Sequence, residues 1–543
     1  MSASKQTSLA QGAEIIAVPG PRAWEWTGIL LVIVGFVLFN LATCNLYPNV
    51  WCDEISFSEP AINLVRNGSF TSFVWYHEPS NVFPTVNCPL YTMVLVPWLA
   101  AMGTTVLAVR SFNYVAMALA AFLLWVSLWR LSLVRIPWAR LAVVVLAHLG
   151  YGMTVAYRCS RPDILAAVCL LLLLLSFAIE RRGLRGVCIL GLAAVSVWIG
   201  LQVALFVAFA GLGGWLVLRR IRFREMVVLS LGLAAGAGSL LLLLYWKGVL
   251  RYFLPHVVGL LGKRYAHSQH LSIPGAAHRV IKETIIGYVE DFTSLPLIIG
   301  LLLALAATWK HLSTSTRRVA LYCLLLVFGV PLLFNLAAHY AFYYSYMKFG
   351  PTILGFFAVF SELTILKKPG FPVWLRGVLI GLICTAMLVG LPLRLAVTSI
   401  CCHLIPRSEI QRVMDDHIHP GDVVLSDYAV FFEVKHATTV VYNFFSSSTL
   451  ASSGIPGRDL TMEEKSAVST MVVRPKYAKS LGTFLGGEWQ PVTSPFGDTQ
   501  DFRAFERLPV LGPKLVRYAT GAQTDRYQVQ IFTRRSRPPE PGY

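Results

Sequence analysis

Apolar and polar positions along this chain fall into long blocks, without the short periods of a soluble helix or strand. Apolar runs occupy roughly residues 27–44, 109–128, 140–157, 163–179, 187–201, 202–218, 226–245, 292–308, 319–338, 349–365 and 374–396. Most approach the roughly 20 residues that an α-helix needs to cross the hydrocarbon core of a bilayer. The stretch 187–218 is too long for one such helix and a little short for two. Its break at Gly200 and Gln202 predicts two short helices.

One further apolar run, 89–108, sets the direction of everything after it. The polar connectors carry Arg130, Arg135 and Arg140, then Arg181, Arg182 and Arg185, then Arg219, Arg220, Arg222 and Arg224. Lys310, Arg317 and Arg318 follow, and then Lys367, Lys368 and Arg376. These clusters fall on one side only if 89–108 does not cross. Lys and Arg collect in short cytoplasmic loops, so that side and the amino terminus are expected in the cytoplasm. Pro89, Pro97 and Gly103 suit a re-entrant or interfacial helix covered by protein. The expectation is a polytopic all-α protein of about 11 transmembrane helices in a cell membrane (inner or plasma). The outer side would hold residues 45–108, 158–162, 246–291 and 339–348, and everything after about 398.

After about 398 the charges return and the long apolar runs stop. Residues 423–425, 438–442, 470–473 and 528–533 read as short strands, with helices near 427 and over 477–485. Strands alternating with helices predict a small extracytoplasmic α/β domain. The expected organisation is a cytoplasmic tail 1–23, a membrane domain 24–397, a soluble domain 398–533 and a disordered tail 534–543. Neither a G-x-G-x-x-G nor a Walker-type glycine loop occurs in the soluble domain. The first 23 residues are polar and include Lys5, Glu14 and Arg22, which does not fit a signal peptide.

Composition narrows the class further. Of 543 residues 56% are apolar and 14% charged, and the mean hydropathy is +0.62, which excludes a soluble enzyme, a disordered chain and a collagen-like rod. A net charge of +18 could suggest nucleic acid, but the basic residues punctuate apolar runs and form no polar stripe. The ten cysteines include no C-x-x-C pair or zinc-type spacing. Cys52 and Cys88 flank a polar loop and could pair in an oxidising compartment, or stay free.

Candidate chemistry lies on the expected outer side. Asp53 and Glu54 sit just past the first span, where acids are either a general base or metal ligand in a cleft or an ordinary solvated loop. Glu78, with His77, is in the same loop, as a second acid or simply solvated. In the turn 158–162, Pro162 and Asp163 suit a helix start. That leaves Arg158 and Arg161, which fit a phosphate through their planar forks. The loop 246–291 is basic, with Arg264 and the pair His267 and His270. It could close over a phosphorylated head group, be drawn to anionic lipid, or hold a metal ion through its histidines. Tyr343, Tyr344 and Tyr346 near Lys348 form either an interfacial aromatic belt or a sugar-stacking surface with a cation beside it.

Together these features resemble the GT-C class of membrane glycosyltransferases, in particular the protein mannosyltransferase and aminoarabinose transferase group that uses polyprenyl-phosphate sugars. The resemblance rests on Asp53-Glu54, on Asn87-Cys88-Pro89-Leu90-Tyr91, on Gly103 followed by Arg110, and on Arg161-Pro162-Asp163. It covers about residues 24–180. Where many relatives carry a lysine before Pro-Leu-Tyr, this chain has Cys88. The resemblance implies an inverting transfer at the outer face. Asp53 would act as base toward an acceptor hydroxyl, and Asp163 would support the acceptor or a divalent metal ion. Arg161, Arg264 and Lys348 would stabilise the departing lipid phosphate. The acceptor would be a glycan, lipid or protein. Competing readings are a glycan ligase or polymerase using lipid-linked sugars, a secondary transporter, and a non-catalytic binding protein. The nearly charge-free spans and the lack of an internal repeat disfavour a transporter.

Overall fold

The computed structural model describes residues 20–75, 79–85, 88–255, 257, 273–337, 342–365, 373–443, 460–507, 509, 512–515 and 526–535. It is a helical membrane bundle carrying a small α/β domain. Ten helices open the chain: α1 (Ala23–Ala42), α2 (Cys52–Asn67), α3 (Leu90–Met102), α4 (Val106–Arg130), α5 (Pro137–Leu149), α6 (Tyr151–Arg158), α7 (Asp163–Ser176), α8 (Arg182–Ile199), α9 (Leu201–Gly213) and α10 (Phe223–Trp246). Further helices span Ile273–Glu290, Ser294–Thr308, Thr314–Ala337, Tyr346–Ile365, Val373–Val389 and Leu391–Cys401.

Among the described residues nine helices are long and apolar enough to cross a membrane, or ten if the bent pair α5 and α6 counts as one span. The expected count was eleven. The difference lies in α7, whose 14 residues rise only about 21 Å. The apolar run there extends to 179, but Phe177–Ile179 follow the helix as a turn, and hydropathy does not register where a helix stops. The break expected in 187–218 falls at Gly200, between α8 and α9. Residues 246–291, read from sequence as a connector, contain the 18-residue helix Ile273–Glu290.

Helix α3, at 13 residues, is shorter than the candidate spans. Its Tyr91 hydroxyl bonds Asn113 and Ser160, and its Trp98 indole donates to the Ala108 carbonyl at 3.0 Å, which packs it on the first half of α4. At the opposite end of the bundle, buried Glu25 accepts both arms of the Arg140 fork at 2.6 and 2.8 Å and the Trp125 indole at 2.8 Å. That network joins α1, α4 and α5. Small residues set the closest helix approach: a Cβ at Gly232 or Gly236 of α10 would lie 2.4 or 2.5 Å from the Leu190 or Ala194 carbonyl of α8.

The carboxyl-terminal domain holds strands β1 (Cys402–His403), β2 (Val423–Ser426), β3 (Val440–Asn443), β4 (Thr470–Val473), β5 (Trp489–Pro491), β6 (Thr499–Gln500) and β7 (Gln530–Arg534). The main sheet has order β3-β2-β4-β7-β5, with β2, β3 and β4 parallel and β7 antiparallel to both neighbours. The near-continuous apolar residues of β2 (Val-Val-Leu) and β4 (Met-Val-Val) match strands covered on both faces. The domain is docked, not pendant. Its Lys435 reaches Glu59 of α2 at 3.3 Å, and Arg66 of α2 donates to the Lys435 and His436 carbonyls. Arg526 binds the Asn45 and Leu46 carbonyls beyond α1. Cys52 and Cys88 are both free. Cys88 is buried with Val197, Leu240 and Leu244, whereas the Cys52 thiol faces the Asp53 carboxylate. The expected disordered tail lies outside the described residues, except for Arg534, which closes β7, and Arg535.

Candidate active site

The first turn of α2 and the first turn of α7 meet at one end of the bundle. Each carries an acid in that turn, Asp53 and Asp163, where the helix dipole favours negative charge. Arg161, in the turn before α7, bridges them. Its Nη1 bonds Asp53 Oδ2, and its Nε bonds Asp163 Oδ2 at 2.7 Å. The guanidinium is boxed by rings, 3.9 Å from the centroid of Tyr343, 5.1 Å from Trp51 and 5.5 Å from Phe57. Burial alone would lower the Arg161 pKa, but Asp163 and Asp53 carry it well above the ordinary arginine range, so the bridge stays charged. Burial likewise pushes the Tyr343 and Tyr344 phenols up, leaving them neutral hydroxyls.

The two acids differ in access. The Asp163 side chain is fully buried, and its Oδ1 has no hydrogen-bond partner. Asp53 is 33% exposed. It is therefore the member of the triad that a reactant can touch. The turn that presents Arg161 is fixed from behind: Asn113 donates to the Cys159 and Arg161 carbonyls, and Tyr91 bonds both Asn113 and Ser160.

Glu54, adjacent in sequence, points elsewhere. It is fully buried and receives the Arg110 fork through two bonds of 2.7 Å, plus the Ser160 N–H at 3.1 Å. Arg110 also binds the Cys44 and Pro48 carbonyls. Both acceptor oxygens of Glu54 are occupied, so its carboxylate serves as scaffold. Arg158 is likewise committed: its nitrogens reach Tyr47, Asn40 and Thr43, closing the carboxyl end of α1. Lys348 is buried away from the triad, donating to the Gly287 carbonyl at 2.9 Å and lying 3.5 Å from Asp291. Tyr344 contacts Tyr343 at 4.6 Å between centroids and so reaches the edge of the triad. Arg264, Glu78, His77, His267 and His270 lie outside the described residues.

Sequence reasoning passed over Trp51, Asp291 and the role of Asn113. Asp291 is legible as a cap, being followed by Thr293 and Ser294, whose hydroxyls both bond it. Its pairing with Lys348 is not. No group of three or more His, Cys, Asp or Glu among the described residues could hold a metal ion. Asp53 and Asp163 do not fit one either, because the Arg161 guanidinium already sits between them.

No family model and no curated protein matches this sequence. Among solved structures, the chain is similar to ArnT from Cupriavidus metallidurans bound to undecaprenyl phosphate, at 14% identity and a TM-score of 0.48, over 94% of this chain and 98% of that one. It is also similar to the Archaeoglobus fulgidus oligosaccharyltransferase tethered to an acceptor peptide, at 10% identity and a TM-score of 0.47, over 86% of this chain and 68% of that one. The same archaeal enzyme, AglB, in complex with an inhibitory peptide and a dolichol-phosphate gives 12% identity and a TM-score of 0.44. At these identities the neighbours supply no residue correspondence, and the roles of Asp53, Arg161 and Asp163 rest on this chain's own geometry.

Proposed function

We propose that this protein is a membrane glycosyltransferase that moves a sugar from a polyprenyl-phosphate donor to an acceptor hydroxyl, at the extracytoplasmic face, with inversion. The observation that carries this reading is the Asp53–Arg161–Asp163 triad, which leaves one partly exposed carboxylate held at a membrane-bundle end. Asp53 takes the hydroxyl proton as the acceptor oxygen attacks the anomeric carbon. The bond from that carbon to the phosphate oxygen breaks, and its electron pair leaves on the lipid phosphate. Arg161 and Asp163 are positioning residues that hold the base in place. A cation must meet the developing charge on the leaving group, and Arg264 in the basic connector is assigned that contact on the family resemblance.

A carboxylate that can only position, such as Glu54, would serve a transporter or a binding protein equally well; a reachable carboxylate suits proton transfer. The test is purified protein in lipid nanodiscs, offered a panel of polyprenyl-phosphate sugars with candidate acceptors and scored for release of free polyprenyl phosphate. Release with one sugar, lost in Asp53→Asn, is the expected result. Release undiminished in Asp53→Asn would remove Asp53 as base.

A further inference from the structure

Four cationic side chains assigned to phosphate or found around the site are already consumed. Arg110 is taken by Glu54 and backbone carbonyls, Arg158 by the end of α1, Arg161 by two carboxylates and Lys348 by Asp291 and Gly287. A transfer that expels a phosphate, or that docks an anionic acceptor, needs a donor still open to the substrate. The α/β domain holds one.

In its sheet the parallel strands run β3-β2-β4, so the chain leaves β2 to one side for β3 and returns to the other side for β4. The carboxyl ends of β2 and β4 therefore flank a switch point, the place where open α/β sheets receive ligands. Asp427 follows β2 directly and Arg474 follows β4 directly. Asp427 is fully buried and spends its oxygens on the Tyr527 hydroxyl, the Ala429 N–H and Arg474 Nε. It thereby orients the guanidinium, whose Nη2 reaches the Tyr428 hydroxyl at 3.1 Å. Rings of Tyr527, Tyr477 and Tyr428 surround it at 3.1, 5.6 and 5.9 Å. Arg474 also bonds the Tyr527 hydroxyl, and its side chain stays 14% exposed, so part of its five-donor fork faces solvent. The 11-residue helix Pro475–Leu485 starts at this point, adding the positive end of its dipole.

This edge of the domain is tied near the site: Arg526, the neighbour of Tyr527, donates to the Asn45 and Leu46 carbonyls just ahead of α2, and Tyr428 is within electrostatic range of the Cys52 thiol, next to Asp53. We propose that the carboxyl ends of β2 and β4 form an oxyanion subsite in which Arg474, oriented by Asp427 and flanked by Tyr428, receives a phosphate or carboxylate of the substrate beside Asp53. This rests on the transferase reading for its role, but not for its existence.

Binding is measured on the full-length protein in nanodiscs with two probes, a long-chain polyprenyl phosphate and inorganic phosphate. Wild type binds at least one of them. Arg474→Gln weakens that binding about tenfold, the scale of a lost charge-assisted bond, with Arg474→Lys intermediate. Tyr428→Phe, which removes a single hydroxyl, weakens it by roughly threefold, and the exposed Arg503→Gln leaves it unchanged. Weakening confined to polyprenyl phosphate assigns the subsite to the donor's leaving phosphate. Weakening of inorganic phosphate as well assigns it to an anionic acceptor. Should Arg474→Gln fail to fold, Arg474→Lys and Tyr428→Phe decide. Failure of wild type to bind either probe, or wild-type affinity in folded Arg474 and Tyr428 variants, overturns the proposal. Because binding and turnover are read in separate assays, a chain that loses phosphate binding in Arg474→Gln while its wild type transfers no sugar keeps the subsite and rejects the transferase.

Discussion

Consecutive helix positions lie about 100° apart, which is why Asp53 and Glu54 have different partners. One meets Arg161 at a partly open edge, the other meets Arg110 in the protein interior. The same substitution type should therefore do different things at the two positions. Asp53→Asn is expected to lower turnover by about two to four orders of magnitude while leaving the melting temperature near that of wild type. Glu54→Gln leaves Arg110 buried with an unmatched charge, at a cost of about 3–5 kcal/mol, read as a lower melting temperature in detergent. A Glu54 variant of wild-type stability would undo the scaffold assignment. The acidic pair was visible in the sequence, but not its division of labour, since nothing local says which acid faces inward.

At the scale of elements, the site exists because short pieces bend back on one another. The bend of 61° between α5 and α6 falls at Gly150, where a Cβ would come 2.0 Å from the Phe349 ring. Gly152 is equally pressed, at 2.7 Å from the Ser345 backbone. That closeness brings the Phe342–Tyr344 turn onto α6 and so puts Tyr343 over Arg161. Overpacking here, with Gly152→Val, is expected to cost about 1–3 kcal/mol and to reduce activity together with stability. Gly238→Ala on α10, which meets nothing within 4 Å, should leave both unchanged in the same thermal and transfer assays. The apolar runs announced nearly all of these helices, because each run reports its own transfer free energy. The length of α7 escaped because its apolar run continues past the helix end at Ser176, and the helix Ile273–Glu290 escaped because an amphipathic helix leaves a weaker hydropathy signal.

For the whole molecule, the joint between bundle and α/β domain is a buried ion pair. Glu59 accepts Lys435, Ser72, Asn63 and the Phe73 N–H. Removing one partner strands the other, so Lys435→Ala is expected to cost about 3–5 kcal/mol and to release the domain to limited proteolysis with the spans intact. An uncleaved Lys435→Ala protein would show that other contacts suffice to hold the domain. Orientation is a separate prediction. A cysteine introduced at exposed Lys476 should react with a membrane-impermeant maleimide from outside intact cells, and one at exposed Arg181 only after the membrane is opened. The reverse pattern would invert the topology and move the site to the cytoplasm.

What the chain determined by itself is most of the bilayer-length helices and the Val-rich strands, since burial in lipid or sheet is a local property of a run of side chains. Pairing is another matter. Arg161 lies 108 positions from Asp53, Arg110 lies 56 from Glu54, and Lys435 lies 376 from Glu59. A cation's field falls off within angstroms, so which acid it neutralises, and which carboxylate stays partly exposed, was settled only when packing brought those segments together.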